Sequence, residues 1–259
     1  MNAQVHATAI IDPGAQLGSE VSVGPFVVVE QNVVIGDRCR IESHAVVKRY
    51  TTLGRNNHIH EHAVIGGAPQ DFKFDGGASY VCIGDNNIVR ENVTIHRSNK
   101  NGEKTVVGDN NFLMAGCHVA HDCAIGSNII MANNALLGGH VVVEDNAFIS
   151  GGVTIHQFCR VGTLAMVSAS ARINLDCLPY VVTDGSPGRA RGLNSVGLKR
   201  SGADATDLVE LKRAYRLLCS GAKLKTILVE LRLSSSPLVI HLVKFIEASQ
   251  RGFAHHQKR

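Results

Sequence analysis

The 259 residues set 26 Lys and Arg against 22 Asp and Glu, a formal net charge of +4, which leaves no whole-chain case for nucleic acid binding. No stretch approaches the roughly 18 uninterrupted apolar residues of a membrane span, and no basic segment followed by an apolar core opens the chain. A soluble, cytoplasmic protein without stable membrane insertion is therefore expected. The charge is uneven: from Lys199 onward 12 basic residues face 5 acidic ones, which marks either a docking surface for an acidic partner or a solvated helical face.

The dominant feature is a period of six. Stepping by six from Val5 meets an aliphatic residue at every position through Ile65, again at Ile83, Val89 and Ile95, and then without exception from Val107 to Ile173. Four residues after each sits a mostly small one, such as Ala9, Ala45 or Asn57. Cys39, Cys117, Cys123, Cys159 and Cys177 share that phase, so the cysteines read as small buried side chains in a reducing compartment, with no disulfide framework or metal spacing. Turn residues follow the aliphatic position, as in Ile35-Gly36-Asp37 and Val107-Gly108-Asp109. A repeat this short predicts a parallel β-helix whose aliphatic column is stacked inside, three hexads to a coil.

Two segments interrupt the column, residues 67–80 with Gly, Pro, Asp and two phenylalanines, and residues 97–106, which are polar and turn-rich. Insertions in a solenoid become projecting loops, where binding residues collect. The expected division is a β-helix over residues 1–190 and a small α-helical domain over 191–259. In the latter, Leu208, Leu211, Tyr215 and Leu218 fall on one helical face with Ser201 or Asp204 as cap. A second helix is expected near 223–233, and a third from Ser236-Pro237 to about Gln250.

With 18 residues per coil, His140 stacks on Asp122 and Gly139 on His121, while His96 and His156 share one phase. Four imidazoles and a carboxylate are thus expected in one zone, or in the matching zone of a neighbouring subunit. A His beside a carboxylate suits general base chemistry near neutral pH. A set of neutral imidazoles is also what hydrolytic zinc takes, with His118-x-x-His121 as the close pair, and that reading stands as a rival. His44, His58, His60 and His62 lack this company and read as structural.

Several runs together carry a resemblance: Ile95-His96-Arg97, His118-Val119-Ala120-His121-Asp122-Cys123, Ala132-Asn133-Asn134-Ala135, Gly138-Gly139-His140 and His156-Gln157-Phe158-Cys159. Pro69-Gln70-Asp71-Phe72-Lys73-Phe74 and the stretch from Gly192 to Arg200 complete it. The chain resembles the UDP-N-acetylglucosamine acyltransferases that open lipid A biosynthesis, nearly end to end. The resemblance implies a left-handed coil and a homotrimer with active sites between subunits. It also implies transfer of a 3-hydroxyacyl chain from acyl carrier protein to the glucosamine 3-position of UDP-N-acetylglucosamine. No cofactor or metal is implied, since the acyl chain arrives on the phosphopantetheine of the carrier.

By the same resemblance His121 is the general base, Asp122 orients it, the Gly139 N–H meets the oxyanion and His140 contacts substrate. Gln70, Asp71, Lys73, His96, His118, His156 and Gln157 correspond to sugar or acyl-pantetheine contacts. Asn194 and Arg200 correspond to nucleotide contacts supplied by a neighbour. Three positions depart from the pattern: Val196 where Glu is usual, Ser201 where a second Arg is usual, and Ala169 where some members have Gly at the end of the acyl groove. The methyl of Ala169 implies a shorter acyl chain. The rivals are a later N-acyltransferase of the pathway, which usually carries an added N-terminal domain where hexads here begin at Val5, an acetyl-CoA-dependent acetyltransferase, and a non-catalytic trimeric scaffold. The helical C-terminus and the Gln70-Asp71-x-Lys73 loop argue against the acetyltransferase.

Overall fold

The computed structural model describes residues 3–255. Each hexad is a two-residue strand followed by a four-residue turn, and strands stack in parallel in steps of one coil: Gln4 pairs with Ser22, Ile10 with Val28 and Gln16 with Val34. The result is three sheets of 11, 9 and 8 strands forming the sides of a triangular prism. Turning a corner in four residues requires one residue per hexad in the left-handed region. Asn takes that place at Asn32, Asn56, Asn86, Asn110, Asn128 and Asn146, with φ between 55° and 60°. At one corner the same position is held by Asp122, His140 and Phe158, with φ of 60°, 59° and 65°.

The inward column explains why the period is kept. From Val23 to Ile173 every hexad aliphatic is at most 3 % exposed, whereas Val5, in the open first coil, is 45 % exposed. The five phase-matched cysteines are free and buried, and burial pushes the Cys123 thiol up to about 12. Where the small position is Asn, a ladder replaces apolar packing. Asn57 Oδ1 accepts from Asn87 N at 2.9 Å, Asn87 Oδ1 from Asn111 N at 2.9 Å and Asn111 Oδ1 from Ile129 N at 2.8 Å. The amide ends are used as well, Asn57 Nδ2 donating to Gly84 O at 2.8 Å and Asn111 Nδ2 to Gly126 O at 2.9 Å, so these buried polar groups are satisfied.

Both insertions leave from the corner that carries Asp122 and His140, and both extend the sheets before departing. Gly67 pairs with His96, and Tyr80–Ile83 lies between Thr51–Leu53 and Lys104–Val107. Arg97, at the base of the second loop, is only 4 % exposed; its guanidinium lies over the Tyr50 ring at 5.5 Å and the Phe74 ring at 5.0 Å. One cation thus pins the first loop to the second.

At the other end the strand Arg189–Leu193 turns back antiparallel on Val181–Asp184 and prolongs the 11-stranded sheet, so it lies across the expected division at 190/191. Four helices follow where three were expected: α1 (Ser195–Arg200), α2 (Ala205–Cys219), α3 (Leu224–Leu231) and α4 (Pro237–Glu247). Asp204 caps α2 through Thr206 N, while Ser201 closes the extra helix α1. The helices seal the column through Tyr180, Leu198, Leu211, Leu242 and Phe245. The seam is polar as well: Tyr180 Oη meets His241 Nδ1 at 2.8 Å, and His241 Nε2 meets Glu144 at 3.0 Å. No helix among the described residues is long and apolar enough to cross a membrane. Lys258 and Arg259, counted in the basic C-terminal part, lie outside the described residues.

Replacing the middle rung of the ladder, Asn87→Ala, leaves the Asn111 backbone N–H without its acceptor in the interior and removes the side-chain donor to Asn57 Oδ1, which keeps only the backbone N–H of position 87. It is expected to cost about 2 kcal/mol, read as a lower urea midpoint with an unchanged slope. An unchanged midpoint would show that the ladder contributes no net stability.

Candidate active site

The site lies where the nine-stranded sheet turns into the eight-stranded one, beneath both loops. His118 points outward from its strand, Thr94 directly below it, and Thr94 Oγ1 lies 2.7 Å from His118 Nδ1. The His96 ring meets His118 edge-on at 4.8 Å between centroids. Gly67 leaves the space, since a Cβ there would come 2.9 Å from His96 Cδ2. His96 is buried with no hydrogen-bond partner for its Nδ1. Burial, with His118 and His121 adding repulsion, pushes its pKa down to about 4, and burial also lowers His118. Both rings are therefore neutral at pH 7, and the unpartnered Nδ1 is a polar atom awaiting a ligand.

One corner further on, His121 Nδ1 lies 2.7 Å from Asp122 Oδ2. Burial alone would raise the Asp122 carboxyl, but it is outweighed by the hydrogen bonds of Ser98, His121 and Asn99 N and by nearby His140, so the group is held below its usual value. A carboxylate accepts only, so His121 carries its proton on Nδ1 and presents a bare Nε2 to the cleft. His140 stands on the next coil, its Nε2 3.6 Å from the same Oδ2 and its ring stacked on Phe158 at 4.5 Å. Burial leads in lowering its pKa.

Gly139 lies against the imidazole: a Cβ there would meet His121 Cε1 at 2.5 Å and Nε2 at 2.6 Å. Only glycine allows the imidazole to sit over this backbone. The Gly139 N–H is buried and has no acceptor among the described residues, a donor left for something that enters the cleft.

The first loop brings Asp71, whose Oδ2 is 3.9 Å from His121 Nε2. Its carboxyl is lowered by the Lys73 N–H and the Asn99 side-chain amide. Gln70 and Lys73 stand exposed on the same loop, and the Phe72 side chain is wholly in solvent. The structure thus gathers His96, His118, His121, Asp122, Gly139, His140 and Asp71. It does not bring His156 into the cluster. The pairing of Thr94 with His118, Leu136 and then Thr154 sets His156 three coils beyond His96, about 14 Å at the usual strand spacing. His156 and Gln157 are exposed, and the hydrogen bond His156 makes is to its own neighbour, Nδ1 to Gln157 O at 3.1 Å. The expectation of four imidazoles in one zone holds for His96, His118, His121 and His140 instead. Equal phase fixes the angular position alone, and whole coils separate His156 from His96 along the axis.

Asn194 and Arg200 belong to another place in this chain, a 540 Å³ groove on the outer face of the 11-stranded sheet, lined by Ile130, Phe148 and Met166. The Asn194 side chain caps α1 through Gly197 N at 2.9 Å and donates to Leu164 O at 2.9 Å, while Arg200 is exposed. Val196 is exposed at that rim, and the Ser201 hydroxyl is turned back to Leu198 O at 2.9 Å. Ala169 is an exposed corner residue between Met166–Val167 and Arg172–Ile173. As for zinc, the pair His118 and His121 does not converge, since His118 is engaged by Thr94 and His96. His121, Asp122 and His140 do offer ligand atoms within 4.8 Å of one another. Sequence reading missed Thr94, Ser98, Asn99 and Phe158 as parts of the site. Ser98 and Asn99 are ordinary turn residues by composition, and the register of Thr94 with His118 sets them beneath Asp122 as the loop departs.

His96 gives a pH signature. Its folded pKa, about 4, lies below the ordinary 6.5, so between those values the unfolded chain takes up a proton that the folded one refuses. Stability is lost as pH falls through this window, by up to about 3 kcal/mol for the full difference. The slope of unfolding free energy between pH 6.5 and 4 is expected to flatten in His96→Gln; an identical slope would remove His96 as its source.

Comparison with known proteins identifies the family. Residues 14–49 and 104–139 match the family described as bacterial transferase hexapeptide (six repeats), and residues 176–254 match Udp N-acetylglucosamine O-acyltransferase, domain 2. The chain is 45 % identical over 253 residues to the acyl-[acyl-carrier-protein]–UDP-N-acetylglucosamine O-acyltransferase of Alkalilimnicola ehrlichii, covering 96 % of this chain and 98 % of that one. Identity and coverage are the same for the enzyme of that name from Thermodesulfovibrio yellowstonii. Among solved structures, the UDP-N-acetylglucosamine acyltransferase of Francisella novicida matches with a TM-score of 0.95 at 34 % identity, covering 98 % of this chain and 95 % of that one. The Bacteroides fragilis enzyme matches at 0.93 and 40 %, covering 96 % and 99 %. The left-handed coil that the resemblance implies fits these structures. The chain belongs to the acyl-[acyl-carrier-protein]–UDP-N-acetylglucosamine O-acyltransferase family.

Proposed function

We propose that this chain carries out its family's reaction with His121 as general base, moving a 3-hydroxyacyl group from acyl carrier protein to the glucosamine 3-hydroxyl of UDP-N-acetylglucosamine. The observation that carries the assignment is the bare His121 Nε2 facing the cleft, fixed by Asp122 Oδ2 at 2.7 Å on the other ring nitrogen. Nε2 takes the hydroxyl proton as the sugar oxygen attacks the thioester carbonyl. The buried, unengaged Gly139 N–H receives the charge that develops on the carbonyl oxygen. Collapse breaks the carbon–sulfur bond, and His121 returns the proton to the departing pantetheine thiol. The imidazolium formed in between is stabilised by Asp122, with His140 beside it.

The remaining contacts follow from placement. Asp71, with Gln70 and Lys73 on the same loop, faces the acceptor sugar. His96 and His118 line the approach with neutral rings. His156 and Gln157 stand on the same sheet edge further along, where a long acyl-pantetheine would lie; Ala169, at the other edge of the nine-stranded sheet, would end that path from a neighbouring subunit. Asn194 and Arg200 serve a neighbouring subunit of a homotrimer, since within one chain they lie on a different sheet from His121. The reaction as assigned needs no cofactor or metal, and the proposed setting is the cytoplasm. Lys199, Arg200, Lys212, Arg216, Lys223 and Lys225 are exposed and free of ion pairs with other described residues, a surface suited to an acidic carrier protein.

Mass spectrometry of the UDP-sugar after incubation with a panel of 3-hydroxyacyl carrier proteins tests this directly. A mass gain is expected with the wild type and a loss of at least about a thousandfold in rate with His121→Ala. Transfer that survives in His121→Ala removes the base, and no gain with any donor points to a 3-amino acceptor or to the scaffold reading. In the same panel Ala169→Gly is expected to favour a longer chain, and an unchanged preference removes its role. Raising salt should lower kcat/KM with the carrier-protein donor more than with a small pantetheine thioester. Equal sensitivity would dismiss the basic surface as the docking site.

A further inference from the structure

Resting on the reading of His121 as the base, we infer that Ser98 and Asn99 of the second projecting loop are positioning residues that hold a carboxylate on each side of the His121 ring. Ser98 is fully buried, and its hydroxyl donates to Asp122 Oδ1 in a short hydrogen bond. Asn99 spans both carboxylates, its backbone N–H donating to Asp122 Oδ2 at 3.2 Å and its side-chain amide to Asp71 Oδ2 at 3.0 Å. The loop is braced for this, since Lys100 N donates to Ser98 Oγ at 3.0 Å, and Asp122 N donates to Thr105 Oγ1 at 2.8 Å where the loop returns.

Each bond resolves a competition. Asp122 has two imidazoles within reach, His121 Nδ1 at 2.7 Å and His140 Nε2 at 3.6 Å. With Oδ1 occupied by Ser98, the carboxylate cannot turn toward His140, and Oδ2 stays on His121. Asp71 Oδ2 lies 3.9 Å from His121 Nε2, the atom that must receive the substrate proton. Asn99 holds that carboxylate to one side. Released, it would be free to fill the space before Nε2 that the sugar hydroxyl must enter. The two residues therefore act on different kinetic quantities, Ser98 on the orientation of the base and Asn99 on access to it.

The test is steady-state kinetics of the full-length enzyme with 3-hydroxyacyl carrier protein and UDP-N-acetylglucosamine, beside melting curves. Ser98→Ala is expected to lower kcat about tenfold with both KM values within about twofold, and Ser98→Thr, which keeps the hydroxyl, to recover most of the loss. Asn99→Ala is expected to raise KM for the UDP-sugar about fivefold with kcat nearly unchanged. Wild-type kcat in Ser98→Ala, or an unchanged acceptor KM in Asn99→Ala, overturns the corresponding assignment. So does a loss in Ser98→Ala that tracks a lowered melting temperature and is not recovered by Thr. His121→Ala in the same assay separates the two levels. An inactive His121→Ala beside unaltered Ser98 and Asn99 variants overturns the positioning alone, whereas an active His121→Ala overturns the base itself.

Discussion

Everything in this molecule depends on the stacking of one aliphatic residue per hexad, because that column fixes the axial and angular address of every other side chain. Burial to at most 3 % from Val23 to Ile173 leaves no freedom to slip. A shift of one residue would turn the outward positions inward, and a charged or aromatic corner residue cannot be placed in a closed prism. Six-residue spacing also forces the left-handed corner residue, so Asp122, His140 and Phe158 are held at φ of about 60° not by their own preference but by the coils above and below. A backbone this constrained is what allows His121 to lie within van der Waals contact of Gly139 without drifting.

On that rigid corner the chemistry turns on one carboxylate. Asp122 is largely enclosed, its side chain 9 % exposed, and burial alone would raise its carboxyl; four groups, from Ser98, Asn99, His121 and His140, reverse the balance. The same low-dielectric surroundings keep His96 and His118 neutral. The cleft thus sets two carboxylates about the His121 ring, Asp122 and Asp71, with the uncharged rings of His96 and His118 beside them. This is the polarity an acyl transfer from a thioester needs: a stabilised imidazolium beside Asp122, and an apolar approach for the acyl chain.

Much of this was legible in the sequence, for a definite reason. A period of six maps residue number directly onto position, so the stacking of Gly139 on His121 and of His140 on Asp122 followed from counting. Counting failed along the axis, where His156 shares a phase with His96 but sits coils away. It also failed wherever the period lapses. Ser98 and Asn99 open the second insertion, which breaks the count of 18 that would have set them beneath Asp122. The extra helix α1 was hidden similarly, since no spacing marks Asn194 as its cap, a place its side chain takes through Gly197 N.

The two loops have a common logic. A solenoid corner offers side chains spaced along a line, about 4.8 Å apart, and a line cannot enclose a reaction. Groups at right angles to it must come from excursions of the chain, and both excursions here leave from the one corner that holds the base. Their attachment is not left to surface contacts. Arg97 is buried between Tyr50 of the coil below and Phe74 of the first loop, so the cation that starts the second loop also fastens the first. Asn99, two residues on, repeats the connection in hydrogen bonds, reaching Asp71 in one loop and Asp122 on the coil. Interrupting the repeat sacrifices coil stacking at two places, and it gives the site the second dimension that a regular hexad could not supply.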